Sequence, residues 1–181
     1  MPQEIIAAQL LTAEAFQPFG DVIALPGAEQ IMINRGHCVR HHALSTVSFI
    51  GEGATTGISI FEAQPYALPH SLDLVERHPL GSQAFFPLGG QPWLVIVCSD
   101  ENNTPAGPQA FLAAADQGVN IHRGVWHGVL TPLFESANFL VVDRIGPGNN
   151  LEEVTFATPY QVEVSSDVLN AVASANPVET S

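Results

Sequence analysis

The chain has 181 residues and sets 18 acidic side chains against five arginines, with no lysine, for a formal net charge of −13. That charge excludes nucleic acid and anionic membrane surfaces as partners. It also requires any anionic substrate to be met by local cations. Hydrophobic residues make up 46% of the chain, enough for one domain whose core needs no staples. Cys38 and Cys98 are the only cysteines and read as reduced buried thiols rather than a disulfide framework. Met1-Pro2-Gln3-Glu4 lacks a signal-peptide pattern, and no apolar run approaches the ~20 residues of a membrane span. A cytoplasmic protein is expected.

Taken in order, Glu4 to Leu10 reads as an opening strand. Thr12 is placed to cap a short helix, Ala13 to Phe16, that stops at Pro18 and Gly20. Asp21 to Leu25 is extended and closes at Pro26-Gly27. Ile31 to His42 reads as strand, turn, then strand or loop. Val47 to Ile50 and Gly57 to Glu62 read as short strands, and Pro65 and Pro69 break the next stretch. Pro92 to Cys98 is the most apolar run, and its β-branched residues favour a buried strand. Ser99 to Pro108 reads as a polar loop, with Gln109 to Ala114 returning as a strand. Asn138 to Arg144 and Val154 to Val164 complete the strands. From Ser165 to Ser181 the chain is small and polar, so a poorly ordered, frayed tail or a marginal helix is expected after a single domain spanning 1–164. Short strands punctuated by Gly and Pro indicate an all-β barrel or sandwich, with short peripheral helices.

Two polar stretches stand out from this background. The first is Glu76-Arg77-His78-Pro79-Leu80-Gly81-Ser82-Gln83, followed by an apolar run and Gly89-Gly90. If Leu74 to His78 is extended, Glu76 and His78 share one face and Arg77 takes the other. The bend at Pro79-Leu80-Gly81 can return Gln83 to the first face. The second is Gly118-Val119-Asn120-Ile121-His122-Arg123-Gly124-Val125-Trp126-His127. The two are expected to meet inside the barrel and form one site.

These stretches resemble the two motifs of cupin barrels. Glu76-x-His78, four residues, Gln83, six residues, Gly90 fits the first frame, with Glu and Gln in place of a His and a Glu. His122-x-Gly124-x-x-His127 fits the second, with His122 in place of a proline. Over about Leu11 to Val164 the sequence resembles the ureidoglycolate lyase family. The phrases that carry this are Phe16 to Ile23, Ile33-Asn34-Arg35-Gly36, Glu76 to Pro87, Gly118 to His127 and Phe139 to Arg144. The resemblance implies a cupin-like β-barrel or jelly roll, a homodimer, and release of urea from (S)-ureidoglycolate to leave glyoxylate, a late step of purine catabolism through allantoin. It also implies nickel or another divalent ion in some members.

Such an elimination needs a base for the hydroxyl proton, an acid or Lewis acid for the leaving nitrogen, and a cation for the carboxylate. Glu76, His78, His122 and His127 are the candidate acid–base set. Arg40, Arg77 and Arg123, with Arg144, are the candidate clamps for a small anionic substrate. Alternation disfavours Arg77, so Arg123 and Arg40 are preferred. Gln83 is a further substrate contact, and Trp126 a wall of the pocket. A divalent metal would sit on Glu76, His78, Gln83 and His127; imidazole with oxygen suits nickel, zinc, iron or manganese. The amide is a poor ligand, so the metal is expected to stimulate rather than to be required, and no organic cofactor is expected. His41-His42 diverge along a strand, His37 and His70 read as surface or packing residues, and Asp143-Arg144 reads as a structural pair. The alternatives are a ureidoglycolate amidohydrolase releasing ammonia, a metal-dependent dioxygenase, and a non-catalytic cupin that binds a small carboxylate.

Overall fold

The computed structural model describes residues 4–175. Along the chain run β1 (Ile5–Ala7), β2 (Gln9–Leu10), helix α1 (Ala13–Phe16), β3 (Gly20–Ile23), β4 (Gln30–Ile33), β5 (Cys38–His41) and β6 (Thr55–Ala63). Next come β7 (His70–Arg77), β8 (Gln83–Pro87), β9 (Trp93–Asp100), β10 (Pro105–Ala113), β11 (Gly118–Ile121) and β12 (Trp126–His127). The chain continues with β13 (Thr131–Pro132), β14 (Ala137–Ile145), β15 (Glu152–Glu163) and helix α2 (Ser166–Ala175).

The strands form two sheets that face each other. One has the order β1-β15-β7-β12-β9-β10-β2, with β13 also on β9. The other has the order β3-β11-β8-β14-β6, and β4 and β5 form a separate hairpin. This is the all-β, barrel-like architecture expected from the sequence. Alternating residues of both sheets fill the inner core: Trp93, Val95 and Val97 of β9, Phe111 of β10, Phe85 of β8, Val119 and Ile121 of β11, and Phe139 and Val141 of β14. Thr12 caps α1 through Oγ1, which accepts from the Ala15 N–H at 3.2 Å. The cap sets Phe16 edge-on against Phe111, with ring centroids 5.5 Å apart.

A second core covers the outer face of the larger sheet. Leu94, Ile96 and Cys98 of β9 point there, with Leu72, Val75, Trp126 and Val162. Helix α2 packs on this face through the buried Val172 and the partly buried Val168 and Leu169. Of the frayed tail and the marginal helix expected after Ser165, residues 166–175 form the helix, because an apolar stripe has a surface to cover. The ends of the chain, 1–3 and the expected tail over 176–181, lie outside the described residues.

Two other local expectations change. Ser99 to Pro108 is not one loop, because β9 runs to Asp100 and β10 begins at Pro105. A register shift between Ala106 and Gln109 absorbs Gly107 and Pro108 as a bulge. Val47 to Ile50 is not a strand; only Phe49 bridges, to Gly81. That segment instead lies along the 80–82 turn, where the Ser82 N–H donates to Ser48 O at 2.8 Å and the Ile50 N–H to Leu80 O at 2.9 Å.

Candidate active site

The polar stretches converge as their alternation requires. β7 carries Glu76 inward and Arg77 outward, and β12 carries Trp126 outward and His127 inward. β7 and β12 are antiparallel neighbours in which His127 lies directly opposite Glu76. The chain then leaves β7 so that His78 returns to the same side, 5.3 Å from His127 between ring centroids. The ligand atoms of Glu76, His78 and His127 all lie within 4.8 Å of one another. Gly124 ties the two stretches together. Its φ of +80° suits glycine, and its N–H donates to the His78 carbonyl at 2.9 Å.

Each imidazole is held by its far nitrogen. His78 Nδ1 lies 2.6 Å from the Asn150 carbonyl and His127 Nδ1 lies 3.1 Å from the Gly128 carbonyl. A carbonyl only accepts, so both Nδ1 atoms donate and both Nε2 atoms face the site. Those two Nε2 atoms, with Gln83 Oε1, are buried without a hydrogen-bond partner. Glu76 Oε1 is 3.7 Å from His78 Nε2. The two imidazole Nε2 atoms and the Glu76 carboxylate, with the Gln83 amide oxygen nearby, form a donor set that suits a divalent cation.

The electrostatics separate the three groups. Contact with His78, and more weakly the charge of His127, outweighs burial and holds the Glu76 carboxyl below its usual value. Burial, reinforced by His78, pushes His127 down to about 4, so it is a neutral acceptor at pH 7. Burial also pulls on His78, but the Glu76 carboxylate, the Asn150 carbonyl and Gln83 together raise it above the ordinary imidazole value.

A cavity of about 110 Å³ opens beside this cluster, with Glu76, Gln83 and His127 at its polar end. Its walls include Phe61, Phe85, Trp93, Val95, Ile121 and Leu130. It is well below the ~300–1,000 Å³ of drug-sized sites and fits only a small metabolite.

The other candidates lie elsewhere. Arg77 sits over the Trp126 ring, 4.4 Å from its centroid, and pairs with Asp100 at 2.5 Å and Glu152 at 2.6 Å. Alternation puts both Arg77 and Trp126 on the outer face, so neither is a pocket residue. Arg123 is exposed and among the described residues donates to the Pro79 carbonyl, at 3.4 Å. Arg40 is exposed on the β4–β5 hairpin, opposite Ile31. None of these three clamps touches the Glu76–His78–His127 trio. His122 leaves the barrel at the end of β11 and is 3.4 Å from Asp21 Oδ2, which Ser45 also engages. His41 is no metal ligand; its Nδ1 accepts from the Gly27 N–H at 3.0 Å.

Asp143 and Arg144 are not a pair, because consecutive strand residues diverge. Arg144 is buried and donates to the carbonyls of Ile50, Gly146 and Pro147. Asp143 falls on the inward parity set by Phe139 and Val141, a signal already present in the sequence, and accepts from Gln83 Nε2 at 3.4 Å.

The sequence profile of ureidoglycolate lyase matches residues 3–163. The chain belongs to the ureidoglycolate lyase family. It is 54% identical to the ureidoglycolate lyase of Agrobacterium fabrum over 84% of this chain and 92% of that one. It is equally 54% identical to that of Rhodobacter capsulatus over 88% of this chain and 99% of that one. Among solved structures it is similar to dTDP-4-dehydrorhamnose 3,5-epimerase from Bacillus anthracis, with 14% identity, 81% and 95% coverage and a TM-score of 0.44. No described helix is long and apolar enough to cross a membrane.

Proposed function

We propose that this chain eliminates urea from (S)-ureidoglycolate and leaves glyoxylate, in the breakdown of purines through allantoin. One observation carries the reading: in a chain of this family, Glu76, His78 and His127 gather their reactive atoms beside a cavity of small-metabolite size, which Glu76 and His127 line.

The reaction breaks the bond between the carbinol carbon and the ureido nitrogen. The hydroxyl loses its proton as the carbonyl of glyoxylate forms, and the departing nitrogen gains one as urea leaves. Glu76 and His127 are the acceptors for the hydroxyl proton, because the site keeps the first ionised and the second neutral. His78, whose affinity for a proton is raised, is the donor to the leaving nitrogen. Each positioned acid or base is worth roughly 10²–10⁴-fold in rate. The orphaned acceptors fit a divalent ion held by Glu76, His78 and His127 with Gln83. When bound, such an ion would supply Lewis-acid polarisation of the substrate oxygens.

Product analysis tests this directly. The protein is incubated with (S)-ureidoglycolate, and glyoxylate, urea and ammonium are quantified together. Equal glyoxylate and urea without ammonium supports the lyase. Ammonium would assign an amidohydrolase, and no turnover would leave a module that binds a small carboxylate.

The reading extends to a cytoplasmic homodimer. The two cysteines are unpaired, which suits a reducing compartment. β6 is the outer strand of its sheet, and Ile58 and Ile60 on it are 75% and 57% exposed. A long apolar edge with no lysine to blunt it favours pairing with a second copy.

A further inference from the structure

Asp143 has no partner that accounts for its charge. It is half-buried on the inner face of β14, beyond the fully buried Phe139 and Val141. Among the described residues its one hydrogen bond is the 3.4 Å contact from Gln83, and no arginine or histidine lies within ion-pair distance. The adjacent Arg144 is committed to three carbonyls on the other face. Gln83, 6% exposed, spends its amide N–H on Asp143, which turns Oε1 away without a partner. The polar end of the cavity therefore presents acceptors, Glu76, His127 Nε2 and Gln83 Oε1, and Asp143 adjoins it through Gln83.

A second inward carboxylate, next to Gln83, is costly without a partner and repels the carboxylate of any anionic substrate. Both effects make sense if the ligand brings N–H donors to that spot. A ureido group does so. On the side opposite its carbonyl, its two N–H bonds run parallel, matching the two oxygens of a carboxylate as a guanidinium does. We propose that Asp143, positioned beside Gln83, accepts the paired N–H bonds of the substrate's ureido group and so selects ureido compounds over simple amides. The substrate then lies with its own carboxylate away from Asp143. The assignment rests on the lyase reading for the substrate's identity.

The test is calorimetric binding of two unreactive ligands, oxalurate and N-acetyloxamate. They share a carboxylate, but the second replaces the terminal –NH₂ by methyl and keeps only one of the two parallel N–H bonds. The wild type is expected to prefer oxalurate by ~10–100-fold, the scale of one hydrogen bond to a charged group. Asp143→Ala should bring that ratio close to one, and Asp143→Asn, which keeps one acceptor oxygen, should leave it intermediate. Gln83→Ala should weaken both ligands alike and leave the ratio near its wild-type value. An unchanged ratio in Asp143→Ala, or no preference in the wild type, would overturn the assignment. Turnover of ureidoglycolate is measured alongside. A ratio that collapses in Asp143→Ala while the wild type yields no glyoxylate would sink the lyase reading and leave the ureido contact standing.

Discussion

The backbone carbonyl of Asn150 accepts from His78 Nδ1 at 2.6 Å, across 72 residues of sequence. The same residue's side-chain oxygen accepts from the Leu80 N–H at 2.8 Å. One asparagine thus fixes both the tautomer of His78 and the bend beyond it. Outer contacts of this kind typically govern ~10–100-fold in activity or metal affinity. Asn150→Ala removes the Leu80 contact and loosens the loop that aims the carbonyl. We expect kcat/KM to fall within that range with a small change in Tm, measured by steady-state kinetics and thermal melts.

Arg77→Met tests the placement of the arginines. Methionine keeps an apolar stem against Trp126 but leaves Asp100 and Glu152 without their cation. Stability should fall by about 1–2 kcal/mol, because the acids are partly screened by solvent. KM for ureidoglycolate should stay within about twofold of the wild type. A large rise in KM at unchanged stability would return Arg77 to the substrate.

Exhaustive chelation should slow the reaction without abolishing it, since Glu76, His78 and His127 carry proton transfers of their own and Gln83 is a weak fourth ligand. Adding back nickel, zinc or manganese should raise the rate. Complete loss on chelation, restored by a single ion, would make the metal essential.

His70 sets a pH dependence of stability away from the site. It is 4% exposed and stacks edge-on with Tyr66. Burial lowers its pKa despite the opposing attraction of Asp73. Below about pH 6.5 the unfolded chain binds the proton and the folded one resists it, so stability is full above that pH and is lost as pH falls. His70→Phe keeps the stacking and removes the titration. The Tm of the wild type should therefore drop more than that of the variant between pH 7.5 and pH 5.5.

The β6 edge makes a prediction about assembly. Ile60→Glu places a charge on the exposed edge strand and should shift the protein from dimer to monomer in sedimentation equilibrium, with turnover per chain measured in parallel. A wild type that is monomeric at high concentration would remove the basis for the dimer.

Much of the barrel is legible in the sequence because its signals are local. The run from Trp93 to Cys98 announces a buried strand, and the i, i+2 spacing of Glu76 and His78 announces a shared face. The spacing of the second motif brings His127 into the trio. The hidden parts depend on contacts distant in sequence. Nothing near Arg77 says that Asp100, Glu152 and Trp126 surround it, and nothing near Arg144 foretells three carbonyl partners. Asp143 is a different case. Its inward parity follows from Phe139 and Val141, but pairing it with its neighbour obscures the alternation. The α2 segment is half legible: its small residues leave frayed tail and marginal helix undecided until the outer core supplies a surface for Val168 and Val172.

β9 divides two cores, with Val95 and Val97 in the inner core and Leu94, Ile96 and Cys98 in the outer core. It is also paired along both edges, to β10 on one side and to β12 and β13 on the other. Its amide protons have no route to water short of dismantling the barrel, so they should be the last to exchange with deuterium, at a rate that reports global unfolding. The Glu76–His78–His127 trio, whose His127 on β12 pairs directly with Val97 of β9, is anchored to the part of the molecule that opens last.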